Sequence, residues 1–460
     1  MKQKTSFQKN VTQVNIMIGL IAMCGMLGTA KSGSCSHAKA RQRPHPRLHR
    51  VSIIEFGAVG DGVTLNTNAF RNAIDHIAAV NKGMGGGALL YIPAGLWLTG
   101  SFTLISHLTL WFHRDAILLG STNSGDWPVV DPLPSYGRGR ELPGRRHQSL
   151  IYGHNLTDVI ITGENGTIEG QGNIWWGWFH NKSLNYTRPH LIEFINSTEL
   201  VISNLTFLNS PFWNIHPVYC SKVIVQNLTI RAPYDSPNTD GIDPDSSNDV
   251  CIEDCYISTG DDLVAVKSGW DEYGISFARP STNISIYRLR GETQSSGITI
   301  GSEMSGGVSD IYVEDLFVFN TKTAITIRTS PGRGGYVKNV CISNMSIRNI
   351  TTAIWFNSQY GEHPDNQYNP KALPLIEKIT IKNVVGDNIR VAGLLEGIQR
   401  ADFLDICLYN VTLNANSAPP WHCSHVQGYS DLVFPPLCEP LREIILPEHF
   451  SDCYHFTPNY

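Results

Sequence analysis

The sequence predicts an all-β fold, a parallel β-helix closed at its N-terminal end by one helix. The first observation is an internal repeat of the form Val-x-Ile-x-Asn/Asp-x-x-Ile. It runs through Val201-Ile202-Ser203-Asn204, Val223-Ile224-Val225-Gln226-Asn227, Val250-Cys251-Ile252-Glu253-Asp254, Ile311-Tyr312-Val313-Glu314-Asp315, Val340-Cys341-Ile342-Ser343-Asn344 and Ile379-Thr380-Ile381-Lys382-Asn383. The second is its spacing: 23 residues from Asn204 to Asn227, 27 on to Asp254, then 29 from Asp315 to Asn344 and 39 on to Asn383. Each unit carries short period-two strands that cannot bury a face alone, so successive coils must stack, each adding one strand to each sheet. The third is an amphipathic stretch from Asn68 to Val80, placed to cover the open end of the apolar bore. A β-propeller would need longer repeats ending in paired hairpins.

Taken in order, the chain opens with Lys2, Lys4 and Lys9 ahead of an apolar run from Ile16 to Leu27, then Gly28-Thr29-Ala30. This has the form of an export signal over 1–30, with too few apolar residues to span a bilayer. A basic, proline-bearing leader follows over 31–50, with no means of building a core, and is expected to be solvated and poorly ordered. The glycine-rich turn Phe56-Gly57-Ala58-Val59-Gly60-Asp61-Gly62 precedes the capping helix. The β-helix is expected over 51–413, with Asn at each bend because Asn tolerates left-handed geometry and stacked Asn side chains can bond one another. Two long insertions interrupt it, Ser121–Leu150 with Arg138, Arg140, Arg145 and Arg146, and Asn357–Pro374 with Tyr360, His363, Tyr368 and Lys371. Loops of such length in a solenoid are often functional. The tail over 414–460 is expected to be stapled by Cys407, Cys423, Cys438 and Cys453.

Composition fits one secreted domain. An apolar fraction of 42% suffices for a core, and loss of the signal's three lysines takes the formal charge from −5 to −8. Asn-x-Ser/Thr occurs at Asn155, Asn165, Asn181, Asn185, Asn196, Asn204, Asn227, Asn283, Asn344, Asn349 and Asn410. Several of these sit in the strand repeat, so only some are expected to carry glycans. Nine cysteines remain after the signal, most expected to pair in an oxidising compartment with at least one left over. Cys251-x-x-x-Cys255 has no second pair to complete a zinc site.

The chemistry concentrates between repeats, in Asn238-Thr239-Asp240, Asp243 with Asp245, and Gly260-Asp261-Asp262. Asp240 lies 21 and 22 residues before Asp261 and Asp262, about one coil, so these carboxyls are expected to be neighbours. Crowded negative charge raises at least one pKa and leaves a protonated acid beside ionised bases, which is what glycosidic cleavage needs. Adjacent Asp261 and Asp262 would face opposite ways in a regular strand; both reach one groove only if the strand ends there, which Gly260 permits. A ladder of solvated aspartates, or a calcium site, fits the clustering too.

Asn238-Thr239-Asp240-Gly241-Ile242-Asp243 and Gly260-Asp261-Asp262-x-x-Ala265-x-Lys267-Ser268-Gly269 resemble two signature motifs of the polygalacturonases, glycoside hydrolase family 28. The resemblance runs from about Ile53 to Asn410. It implies a right-handed parallel β-helix of the pectin-lyase type and hydrolysis of α-1,4-linked galacturonan with inversion. It further implies Asp261 as general acid, with Asp240 and Asp262 activating water. Substrate contacts are expected from Arg328, Lys267, Asn238, Asp243, His216 and Arg333. Inverting enzymes usually separate their carboxyls by roughly 6.5–9.5 Å, wider than one coil, so the side chains must splay.

Two family motifs are altered. Ser295-Ser296 stands where Gly-His is expected ahead of Gly297-Ile298-Thr299-Ile300-Gly301-Ser302, removing a histidine that supports the acid. Thr326-Ile327-Arg328 stands for Arg-Ile-Lys, so one cation is lost and Arg328 is left to take a substrate carboxylate. Lys267, Arg333 or the arginine-rich insertion are candidates to compensate. Gly301-Ser302-Glu303-Met304-Ser305-Gly306-Gly307, Pro331-Gly332-Arg333-Gly334-Gly335 and Trp213-Asn214-Ile215-His216-Pro217 are similar to the exo-acting branch. The expected partner is pectic homogalacturonan, with no cofactor, metal, nucleic acid or membrane, and a monomer. The alternatives are a calcium-dependent lyase, a non-catalytic wall-binding relative, and a rhamnogalacturonan or xylogalacturonan hydrolase.

Overall fold

The computed structural model describes residues 33–41, 44–84 and 86–442. The expected export signal and Cys453 lie outside them. The chain forms the expected right-handed parallel β-helix: every pairing between described strands is parallel except Val129–Val130 with Arg146–His147, inside the first insertion. Register runs straight through the repeat. Leu200, Val223, Val250, Ile284, Ile311, Val340, Ile379 and Ile406 pair in turn, and Ile202, Val225, Ile252, Ile286, Val313, Ile342, Ile381 and Leu408 form a second column. These side chains are buried inside the coils, each contributing roughly 1.5–3 kcal/mol by leaving water.

The repeat's Asn and Asp make the bends. Asn204, Asn227, Asp254, Asp315, Asn344, Asn383 and Asn410 all have φ between 51° and 60°. Asn227 donates to Asn204 at 3.3 Å, Asn383 to Asn344 at 3.0 Å and Asn410 to Asn383 at 2.9 Å. Left-handed geometry is costly for most residues, so each amide ladder satisfies the polar groups at a corner that only such residues turn readily.

The cap is longer than expected, a helix over Thr67–Met84. It buries Phe70, Ala73, Ile74 and Ile77, with Phe70 stacked on Phe102 at 4.5 Å. No described helix is long and apolar enough to cross a membrane.

At both ends the boundaries move. The leader is not the poorly ordered arm its composition suggests: Ser36–Arg41 is helical and Arg47–Ser52 is a strand paired to Gly87–Ile92. Cys35 is disulfide-bonded to Cys251, Lys39 pairs with Glu253, and Arg47 forks onto Asp158 at 2.7 and 2.8 Å. Its basic residues find carboxylates on the outer wall of the coils, which composition cannot reveal. Likewise, parallel pairing continues past residue 413, through Trp421–Ser424 and Val426–Phe434. Cys423 and Cys438 are bonded there, while Cys220, Cys255 and Cys341 are free and buried.

Candidate active site

The strand Tyr256–Thr259 ends just before Gly260, and Val264–Val266 resumes after the acids. Gly260 is required there, because a Cβ would meet the Ser236 carbonyl oxygen at 1.9 Å. The turn is held to the coil before it: the Gly260 N–H donates to Thr239 Oγ1 at 3.0 Å and the Gly241 N–H to the Asp262 carbonyl at 2.9 Å. The Asp261 carbonyl accepts from Thr293 Oγ1 at 2.6 Å and Thr259 Oγ1 at 3.1 Å. Break and clamps together put Asp240, Asp261 and Asp262 in one place, one carboxylate oxygen from each lying within 4.8 Å of the others. That is closer than the usual spacing of inverting carboxyls.

The three have different surroundings. Asp262 is buried and bonded at both oxygens: Arg328 donates to its two oxygens at 2.7 and 2.8 Å, with Ser295 Oγ at 2.7 Å and the Ser296 N–H at 3.0 Å. Burial opposes its charge, but Arg328 and Ser295 outweigh it and hold its pKa below the ordinary range. The serines in place of the family's Gly-His therefore serve as donors to Asp262, and Arg328 also reaches both hydroxyls at 3.1 Å. Asp261 is partly exposed, and burial together with the Asp262 charge raises its pKa. Asp240 is raised further, by burial and by the charges of Asp261 and Asp243.

These groups open on a cavity of about 310 Å³. Its carboxyls are Asp240, Asp261, Glu141, Glu303 and Glu362, its cations Arg140, Lys267 and Arg328, and its aromatic walls Phe179, Phe212, Trp213 and Tyr360. Lys267 lies 4.4 Å from the Trp213 ring centre and 3.3, 3.7 and 3.9 Å from Glu303, Asp243 and Asp240. Burial works against its charge, but those carboxylates win and keep it protonated. Arg140 comes from the first insertion, 2.6 Å from Glu303 and doubly bonded at 2.9 Å to Glu362 of the second. Arg138 donates to the Pro364 carbonyl at 2.7 Å, and Tyr273, from the helix Asp271–Phe277 outside both insertions, donates to Asp365 at 2.8 Å. The two insertions thus join into one wall beside the acids.

The expected contact residues divide. Asn238 lines the cavity with φ 53°, its side-chain oxygen accepting from Arg188 at 3.0 Å. Lys267 lines it too. Arg328 borders it, but with its fork spent on Asp262. His216 does not reach it: it is buried, 3.0 Å from Glu193 and 3.3 Å from Asp245, and those carboxylates overcome burial to lift its pKa to about 9. Arg333 is also withdrawn, wholly buried and ion-paired to Asp271, where it also donates to the Glu362 carbonyl and braces the second insertion. Asp243 is buried behind Lys267, away from the cavity lining. Motif spacing gives no sign of Glu303 or Arg188 as site residues, while the two insertions carry Arg140, Glu141 and Tyr360.

Asp243 carries a testable stability effect. Both its oxygens lack hydrogen-bond partners, and burial, against the pull of Lys267 and His216, leaves its pKa at about 7. A raised folded-state pKa leaves stability intact below the unfolded value and removes it as pH rises through the folded one. Asp243→Asn is therefore expected to raise the Tm by about 2 °C at pH 8 and leave it unchanged near pH 4. A variant less stable at pH 8 would mean that Lys267 depends on this carboxylate.

Comparison with known proteins gives the family. The model of glycosyl hydrolases family 28 matches residues 140–432. A probable polygalacturonase of Vitis vinifera is 48% identical over 435 residues, 94% of this chain and 88% of that one. An endo-polygalacturonase of Pectobacterium carotovorum is 28% identical, over 74% of this chain and 84% of its own. Among solved structures, a hyperthermoactive exopolygalacturonase from Thermotoga maritima superposes with a TM-score of 0.72 at 27% identity, covering 82% of this chain and 90% of its own. The matched segment holds the carboxylates, their clamps and both altered motifs, and the chain belongs to glycosyl hydrolases family 28.

Proposed function

We propose that this glycoside hydrolase cleaves polygalacturonan from one end, by inverting acid/base chemistry. The single observation that carries the reading is the unequal treatment of three crowded carboxyls. Asp262 is held ionised by Arg328, while Asp240 and Asp261 are raised by burial and mutual repulsion and share the remaining proton. Asp261, the more accessible, gives its proton to the departing glycosidic oxygen. Asp240, with Lys267 at 3.9 Å favouring its charge once Asp261 is protonated, takes a proton from the attacking water. Water's oxygen bonds the anomeric carbon as the old C–O bond breaks, so an α-linkage gives a β-product. Asp262, expected to activate water beside Asp240, keeps the charge balance; three of its four bonds go to Oδ1, and Oδ2, bonded to Arg328 alone, retains a lone pair for that water.

Substrate recognition follows from the lining. The Arg140 guanidinium and the Lys267 ammonium offer positive charge to galacturonate carboxylates, Arg328 being held by Asp262, and the aromatic walls take the apolar faces of the rings. The joined insertions favour an end-on pocket over an open groove, which supports exo action. The relative named as an exopolygalacturonase supports the same reading.

The test is ¹H NMR of products from the purified chain with polygalacturonate and trigalacturonate, at mildly acidic pH with a chelator. Saturated galacturonic acid is expected as the first small product, its β-anomer leading before mutarotation. An oligomer ladder would make the enzyme endo-acting. An early α-anomer would require a covalent route, which the 4.8 Å oxygen spacing makes the competitor to exclude. Unsaturated ends would point to elimination, and silence with polymer still bound to a non-catalytic wall-binding protein.

A further inference from the structure

A second groove, of about 1040 Å³, runs along the same edge of the solenoid toward its C-terminal coils. Arg328, Asn357, Glu396 and Ser424 pair in register along that edge, and residues just beyond them line the groove: Ser330, Ser358, Gly397 and His425. The insertion Asn357–Pro374 stands between the two hollows, turning Tyr360 and Glu362 to the catalytic cavity and His363, Tyr368 and Lys371 to the groove. The two linings share no residue.

Their charge differs in kind. In the catalytic cavity Arg140, Lys267 and Arg328 are each paired with a protein carboxylate. The groove has no Asp or Glu in its lining, yet it carries Lys371 and Arg400, both exposed and neither ion-paired to a described carboxylate. His363 and His425 also line it, each already facing an acid, Asp271 and Asp402. In a chain of net charge −5 this is a local excess of positive charge that no described carboxylate of the lining answers. A further feature suits a sugar. The rings of His363 and Tyr368 stack at 3.5 Å and 3°, a platform of the kind that pyranose faces pack on.

We infer that this groove is a second binding site for an anionic polysaccharide, holding a stretch of polygalacturonate away from the bond being cut. The identity of the polymer rests on the function proposed above; the site itself rests on the lining. Such a site raises the residence of a long chain on the enzyme without touching the chemistry.

The test is the full-length double variant Lys371→Gln/Arg400→Gln, with each single variant made beside it. For polygalacturonate the KM is expected to rise about five- to tenfold, while kcat and KM on trigalacturonate stay unchanged. In an Asp261→Asn background, affinity electrophoresis should show the same weakening toward polygalacturonate and none toward its fully methyl-esterified, uncharged form. Unchanged polymer KM and binding would overturn the inference. Equal losses on trimer and polymer, with Tm preserved, would also overturn it by making the groove part of the catalytic site. If the double variant fails to fold, the single variants decide on the same readings. If the parent chain cuts neither substrate, the function above fails, and the binding arm alone still decides the groove.

Discussion

Asp261→Asn lowers kcat on polygalacturonate by about 10²- to 10⁴-fold, the range for loss of a general acid, with KM held within about twofold. Asparagine keeps the shape and the backbone clamps from Thr259 and Thr293, but has no proton to give. The fold should not suffer. A carboxyl whose pKa is raised by burial is one the native state would sooner see neutral, so the variant's Tm at pH 7 should equal or exceed the parent's. Asp240→Asn should behave alike, because the water then has no base. The parent's activity should fall as pH rises through the shared proton's titration, above the ordinary carboxyl range because both pKa values are raised. Full turnover in either variant would remove that residue from the mechanism.

The second large effect lies at Arg328. Arg328→Met strips both donors of the fork from a buried carboxylate, and breaking such a pair costs about 3–5 kcal/mol because the remaining charge has no answer. Asp262 would then take up the proton that Asp261 needs, so kcat should fall together with Tm. Arg328→Lys keeps a charge but not the planar fork, and should lie between. The decisive comparison is the double variant Arg328→Met/Asp262→Asn, in which the stability loss should largely disappear while activity stays low. If Arg328 acted only on the substrate carboxylate, the single variant would raise KM, leave Tm alone and show no coupling to Asp262.

Repeat and register were legible because period and spacing are one-dimensional facts: Asn204 and Asn227 are a coil apart in the chain and in space. The same arithmetic brought Asp240 beside Asp261 and Asp262. Depth was not legible. His216 stands in register with Glu193, yet nothing in its neighbours tells whether it faces the cavity or the network behind it. Arg333 looked free because Asp271, its partner, lies 62 residues earlier. Glu303 stands in a glycine-serine run that gives no sign of its ties to Lys267 and Arg140, which join three separate segments. Nor does the sequence show what stands in the place of the missing histidine: Ser295 and the Ser296 N–H donate to Asp262, and Arg328 reaches the same carboxylate.

The segment from Cys35 to Arg47 also bears on how the molecule is made. It touches Thr109, then Asp158, then Glu253 and Cys251, meeting coils in the reverse of the order in which its own residues run. Cys35 leaves the ribosome 216 residues before the cysteine it joins. That bond can therefore form only after the coil carrying Cys251 has been made, at which point the coils from Val308 on are still to come. A coil skipped or out of step would leave Arg47, Lys39 and Cys35 facing the wrong neighbours, so the seam fits one order of coils and no other.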